Sequence, residues 1–219
     1  MSFYIVEPRI RDFLNESYEP IDGFMEEFRI LGERDGVPII LKETEEFLST
    51  LLKLKKPRKI LEIGTAIGYS ATFFAKSLPS SEVYTIENDE FAYTAAIGNF
   101  KRAGVDGKVF ACFGDGQEQI EKLEDQGIVG FDFVFIDAAK NSYRRFMESC
   151  IPVCDPGAVI VTDNILIHGL TVVEELDPKK KHKTHRKKMK EYIDFITGNK
   201  CMETSLFSVG DGIAVSILD

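Results

Sequence analysis

Apolar positions along the chain change their spacing near residue 58. Before it, Ile10, Phe13 and Leu14 share one helical face and Phe24, Phe28 and Leu31 the next, which predicts one or two amphipathic helices over residues 1–35. Gly36-Val37-Pro38 interrupts that pattern. A further helix carries Phe47, Leu48, Leu51 and Leu52 at core spacing and ends at Lys55-Lys56-Pro57. After residue 58, short β-branched runs alternate with helical stretches: KILEIG (59–64), EVYTIE (82–87), KVFACF (108–113), FDFVFID (131–137) and AVIVTDN (158–164). The first, fourth and fifth are nearly continuous apolar runs, as strands buried on both faces require. Five β-α units in succession predict a doubly wound, Rossmann-like α/β sheet. The closing METSLFSVGDGIAVSILD reads as two strands about Gly210-Asp211-Gly212, so about seven strands are expected, the last two forming an antiparallel hairpin. No internal repeat or flexible linker divides the chain, which predicts a single domain: a helical cap over 1–57 and a core over 58–219.

Composition narrows the class. With 219 residues, 44 % hydrophobic and 17 Phe, the chain is an ordinary globular sequence, able to bury roughly 70 % of its unfolded surface without a staple. The four cysteines (Cys112, Cys150, Cys154, Cys201) form no C-x-x-C pair and lie far from the three histidines, which disfavours zinc and reads as free thiols in a reducing cytosol. No run reaches 18 apolar residues, so no membrane span is expected, and a cytoplasmic location is.

The loop LEIGTAIGYS follows the first strand and opens a helix, where open α/β sheets bind ligands. Its Gly64-x-x-x-Gly68 spacing is neither a nicotinamide fingerprint nor a P-loop, and a purely structural turn is an alternative reading. Glu87, at the end of the second strand, can accept both hydroxyls of a ribose, and together the two features point to a nucleoside-containing cofactor.

Asp137 closes the fourth strand and Asp163-Asn164 the fifth. Neighbouring strands lie ~4.8 Å apart, so these ends would bring two carboxylates and an amide oxygen to one point, a hard oxygen set suited to Mg²⁺ rather than Zn²⁺. Helix capping by Asp137 and a turn at Asp163-Asn164 are the alternative. Lys140 would reach the same space; beside a cation its pKa could fall enough for it to act as a base, and otherwise it is a surface lysine.

The ordered set E-I-G-T-A-I-G-Y-S (62–70), T-I-E (85–87), G-D (114–115), F-I-D-A-A-K (135–140), T-D-N (162–164) and V-G-D-G-I-A-V-S (209–216) resembles the class I, cation-dependent O-methyltransferases that use S-adenosylmethionine, the catechol and caffeoyl-CoA enzymes among them. The resemblance runs from about Val37 to Ile217. It implies Asp137, Asp163 and Asn164 as ligands of Mg²⁺ or Mn²⁺, and Lys140 with Asp137 as the catalytic pair. For the cofactor it implies Glu87 at the ribose, Gly64 and Ser70 at the methionine end, Asp115 and Gly116 near adenine, Ile40 as backbone laid against it, and Glu62 and Asp137 as further binding residues.

Net charge is −9, but residues 179–190 read KKKHKTHRKKMK, eight Lys/Arg and no acid, leaving 19 basic against 36 acidic residues elsewhere. Met189, Tyr192, Ile193 and Ile196 keep core spacing, so the run leads into an anchored helix. A solvated helix face is one reading; a phosphate-binding rim beside the catalytic mouth is the other. Within the family the full combination is most similar to the bacterial tRNA 5-hydroxyuridine methyltransferases. This implies a tRNA anticodon loop as partner, bound by Lys179, Lys180, Lys181, Lys183, Arg186, Lys187 and Lys188. A small-molecule catechol or phenylpropanoid enzyme stays open beside it, and a homodimer is expected from the family and the apolar N-terminal helices.

Overall fold

The computed structural model describes residues 6–219. Three helices come first: α1 (Pro8–Asn15), α2 (Gly23–Arg34) and α3 (Lys42–Lys55). Then follow β1 (Lys59–Ile63), α4 (Tyr69–Ser77), β2 (Glu82–Glu87), α5 (Glu90–Ala103), β3 (Val109–Phe113), α6 (Gly116–Asp125) and β4 (Phe131–Ile136). The chain closes with α7 (Tyr143–Cys150), β5 (Cys154–Thr162), α8 (Lys183–Gly198), β6 (Met202–Phe207) and β7 (Ile213–Leu218). The seven strands form one sheet in the order β3-β2-β1-β4-β5-β7-β6. β1 to β5 are parallel, and β7 runs antiparallel between β5 and β6.

Alternation along the central strands splits the core into two layers. Val134, Ile136 and Ile160 face Tyr143, Met147, Met189, Tyr192 and Ile196 of α7 and α8. Phe133, Phe135 and Val161 face Leu48, Leu52, Phe73 and Phe74 of α3 and α4. Each fully buried aromatic or aliphatic side chain contributes ~1.5–3 kcal/mol, so both faces hold helices and the apolar runs are explained.

Two expectations shift. On α2 the buried stripe is Met25, Phe28, Arg29 and Gly32, so Phe24 and Leu31 sit at its margin. On α1 no residue is buried: Ile10, Phe13 and Leu14 are 53 %, 69 % and 45 % exposed, because the helix lies on the surface with its apolar face outward.

The order of the sheet sets the site. Crossovers leave β1 and β4 in opposite directions, and the crevice beyond their carboxyl ends is where such sheets bind ligands. Here the parallel ladder runs one residue past each strand: Gly64 donates to the Ile86 carbonyl, Asp137 to Ile63 and Asp163 to Ile136, each at 3.0 Å. Gly64, Asp137 and Asp163 therefore line up side by side.

Candidate active site

A cavity of about 550 Å³ opens over these strand ends. Its floor is the β1–α4 turn. Gly64 has φ +103°, and a Cβ there would run into the Asp137 carbonyl, so only glycine lets the two strand ends close up. Ala66 holds φ +46°, and its N–H donates to Glu87 Oε2 at 2.7 Å. Glu87 Oε1 accepts from the Asn88 and Asp89 N–H groups at 2.8 and 2.9 Å. Both oxygens are thus fixed at the rim, oriented by backbone on either side.

Ile40, Gly64, Ser70, Glu87, Gly116, Asp137, Lys140, Asp163 and Asn164 all line the cavity. Glu62 and Asp115 do not. Glu62 is fully buried beneath the turn, where Oε2 accepts from Thr85 at 2.5 Å and Oε1 has no hydrogen-bond partner. Burial, resisted by the Ser70 and Thr85 hydroxyls, pushes its pKa up to about 7. Asp115 caps α6 by accepting from the Gln117 N–H at 3.0 Å and pairs with Arg145 at 2.8 Å.

At the other end of the cavity Lys140 lies in a short turn before α7. Its Nζ donates to Asp137 Oδ1 at 3.1 Å, Asn164 Oδ1 at 2.7 Å and the Tyr143 hydroxyl at 2.6 Å. Tyr143 donates onward to the Asp163 carbonyl at 3.0 Å. Burial, with repulsion from Asp137 and Asp163, raises the Tyr143 pKa well above the ordinary phenol range, so the hydroxyl keeps its proton. Asn164 adopts φ +56°, a left-handed conformation asparagine tolerates, which turns its side chain back toward Lys140.

Asp163 is 1 % exposed, and burial with repulsion from Asp137 raises its pKa to about 8. Asp211, from the β6–β7 loop, adds a third carboxylate whose pKa is also raised, chiefly by burial; it is held by the His168 N–H at 2.6 Å. Three acids against one lysine leave this corner short of positive charge. Among the described residues no group of three or more His, Cys, Asp and Glu side chains is arranged to hold a metal. The oxygen set Asp137, Asp163 and Asn164, two carboxylates and an amide, nevertheless fits a hard dication and the local charge deficit.

The cationic run divides in the structure. Asp177 accepts from the Lys181 and His182 N–H groups, both at 2.9 Å, and so turns the chain into α8. Lys179, Lys180, Lys181, Lys183, Lys187 and Lys188 are exposed, whereas Arg186 is 8 % exposed and lies 3.5 Å from Glu174. Tyr192 shares a hydrogen bond with Thr162 at the end of β5, and the Ile196 carbonyl accepts from Thr204 farther down the sheet. Toward its N-terminus α8 therefore climbs past the end of β5, by ~1.5 Å per residue, to the side on which Asp163 lies.

Sequence reasoning missed four contributors. Tyr143 and His168 lacked a motif, and Asp211 stands in a quoted motif and hairpin turn but was given no part in the site. The fourth is a buried group around Arg29 and Glu45, whose signal was a charge on the apolar stripe of each helix.

A model of the O-methyltransferase family matches residues 24–217. A caffeoyl-CoA O-methyltransferase of Populus kitakamiensis is 31 % identical, covering 84 % of this chain and 79 % of its own. The structure described as a putative caffeoyl-CoA O-methyltransferase from Staphylococcus aureus superposes with TM-score 0.87 at 28 % identity, over 96 % of this chain and 98 % of that one. The Bacillus cereus O-methyltransferase, solved with S-adenosylhomocysteine (SAH), shares the fold at TM-score 0.84 and 23 % identity, over 96 % and 97 % of the two chains. Motif order, sheet order and family match agree: this chain belongs to the O-methyltransferase family, the class I enzymes that take their methyl group from S-adenosylmethionine.

Proposed function

We propose that the protein transfers the methyl group of S-adenosylmethionine, with Mg²⁺ or Mn²⁺ as cofactor, to the 5-hydroxyl of a wobble 5-hydroxyuridine in a tRNA anticodon loop, giving 5-methoxyuridine. The observation that carries the tRNA part is the row of exposed lysines at the N-terminal end of α8, on the Asp163 side of an otherwise acidic protein. An anticodon loop presents its base unpaired, and O5 with O4 offers the adjacent oxygen pair that a chelating site selects.

The cavity suits the methyl donor in size and lining. Glu87 would accept the ribose hydroxyls, the Gly64–Ala66 backbone allows close approach, and the segment 38–41 closes over the other side. Asp137, Asp163 and Asn164 would hold the cation. A divalent ion there would acidify the acceptor hydroxyl and engage the oxygens that now accept from Lys140. Lys140 is the base we assign: its Nζ would take the hydroxyl proton, while Tyr143, locked on the Asp163 carbonyl, keeps the amine in place.

A small-molecule acceptor is the second reading. It is favoured by the caffeoyl-CoA relative and by an adjoining cavity of about 320 Å³ between Leu14, Leu41, Phe47 and Asp211. Methylation assays with Mg²⁺ separate the two. The tRNA reading expects transfer to tRNA carrying 5-hydroxyuridine at a kcat/KM well above that for caffeoyl-CoA or catechol, and the reverse preference would overturn it. We also infer a homodimer, for which the outward apolar face of α1 offers surface; sedimentation of the purified protein as a monomer would contradict it.

A further inference from the structure

We propose that Arg29 and Glu45 are positioning residues of the cofactor cavity, tying the segment Pro38–Leu41 and the Tyr69 end of the glycine turn into one rigid wall. The inference rests on the assignment of the 550 Å³ cavity to S-adenosylmethionine.

Arg29 and Glu45 are 4 % and 2 % exposed and come from separate helices, α2 and α3. Arg29 Nη2 donates to Glu45 Oε2 at 2.5 Å and to the Ile40 carbonyl at 3.1 Å. Its Nε donates to the Tyr18 hydroxyl at 3.1 Å, and Tyr18 donates to Glu45 Oε1 at 2.9 Å. Tyr69, the first residue of α4, donates to Glu45 Oε2 at 2.7 Å and itself lines the cavity. Only the outer nitrogen of Arg29 reaches the surface, where Glu33 accepts at 3.2 Å.

Three features separate this cluster from ordinary core packing. A buried ion pair contributes little net stability against apolar residues of like volume, so its reason is better sought in what it fixes. Both carboxylate oxygens of Glu45 are satisfied, by groups from α2, α4 and the connection before α2, and such a fully connected network holds one geometry. The two atoms it anchors beyond itself, the Ile40 carbonyl and the Tyr69 hydroxyl, belong to two separate segments of the chain that both line the same cavity. Burial alone would lower the pKa of Arg29, but the Glu45 carboxylate beside it outweighs burial and keeps the guanidinium charged. Arg29 also lies 4.8 Å from the Tyr69 ring centroid and 5.1 Å from that of Tyr18, so the planar fork is clamped between two rings.

The test uses the whole protein and two readouts apart from turnover: calorimetric affinity for SAH and hydrogen exchange of residues 38–41 without ligand. Glu45→Gln and Arg29→Met should each weaken SAH binding by ten-fold or more and speed exchange in 38–41, raising KM for the methyl donor more than they lower kcat. Arg29→Lys, which keeps the charge but not the fork, should recover part of the affinity. Leu52→Ala, a core truncation elsewhere on α3, controls for lost stability, and Glu33→Gln for the outer pair; both should bind SAH like the wild type. Unchanged affinity in Glu45→Gln, or an equal loss in Leu52→Ala, would overturn the proposal. A wild-type protein that fails to bind SAH would instead overturn the cofactor reading itself.

Discussion

Lys140 donates from Nζ to Asn164 Oδ1 at 2.7 Å, although the two residues leave different strands and stand 24 positions apart. The same nitrogen reaches Asp137 Oδ1 at 3.1 Å. The candidate base and two of the candidate metal ligands thus already share their polar atoms, so a cation held by those oxygens and the Lys140 hydrogen bonds would be linked.

That linkage gives the first prediction. Asp163→Asn should lower Mg²⁺-dependent turnover by at least ~100-fold, because an amide replaces the most buried carboxylate of the set. Without metal, the same variant should gain stability over the wild type as pH rises from 3.8 to about 8, since the unfolded carboxylate ionises across that range while the buried one holds its proton. EDTA should silence the wild type reversibly. Full activity in EDTA would remove the cation from the account.

The second concerns the ribose acid. Glu87→Gln should weaken S-adenosylmethionine binding by ~1.5–3 kcal/mol, the worth of a charged acceptor, read by calorimetric titration. Glutamine retains one oxygen for the Ala66 N–H, so the turn should keep its shape. Unaltered affinity would take Glu87 out of the binding site.

The third is a pH profile. Glu62 has an ordinary pKa of 4.5 and is pushed up to about 7 by burial. Between these values the unfolded chain holds fewer protons than the folded one, so stability falls as pH rises from about 4.5 to 7. Glu62→Gln should flatten that part of the profile and gain up to ~3 kcal/mol at pH 8. Urea midpoints at pH 5 and pH 8 measure it, and wild-type and variant profiles that stay parallel would show that Glu62 is ionised in the folded protein.

The fold is legible from the chain because its signals are local. The alternating Phe and Ile of FDFVFI assign β4 to both cores, and Gly210 to Gly212 mark the final reversal. The alignment of Asp137 with Asp163 follows from two runs of similar length ending in an acid. What stays hidden depends on pairing between distant segments. Glu45 sits three residues before Leu48 on an apolar stripe, and nothing in its neighbourhood names Arg29 or Tyr69 as partner. Periodicity misleads at α1 for a related reason: it shows that a face is apolar, and not what covers it. Arg186 reads in the sequence as one more cation of the run, yet its position one turn before Met189, on the stripe shared with Tyr192 and Ile196, buries it beside Glu174.

The fourth prediction uses that correction. Replacing Lys179, Lys180, Lys181, Lys187 and Lys188 together by Gln, with Arg186 left in place, should raise KM for tRNA steeply. It should also flatten the salt dependence by roughly one log–log unit for each phosphate that the protein no longer neutralises. Affinity for S-adenosylmethionine and methylation of a small catechol mimic should be preserved, because none of the five lines the cavity. Equal tRNA activity in variant and wild type would make the run a solvated helix face.

The measurement that bears most directly on the central claim is nucleoside mass spectrometry of bulk tRNA from cells with and without the gene. The account expects 5-methoxyuridine to disappear on deletion, 5-hydroxyuridine to accumulate in its place, and the normal pattern to be restored by the wild-type gene but not by Asp163→Asn. An unchanged 5-methoxyuridine content would contradict it and move the acceptor to the small-molecule class.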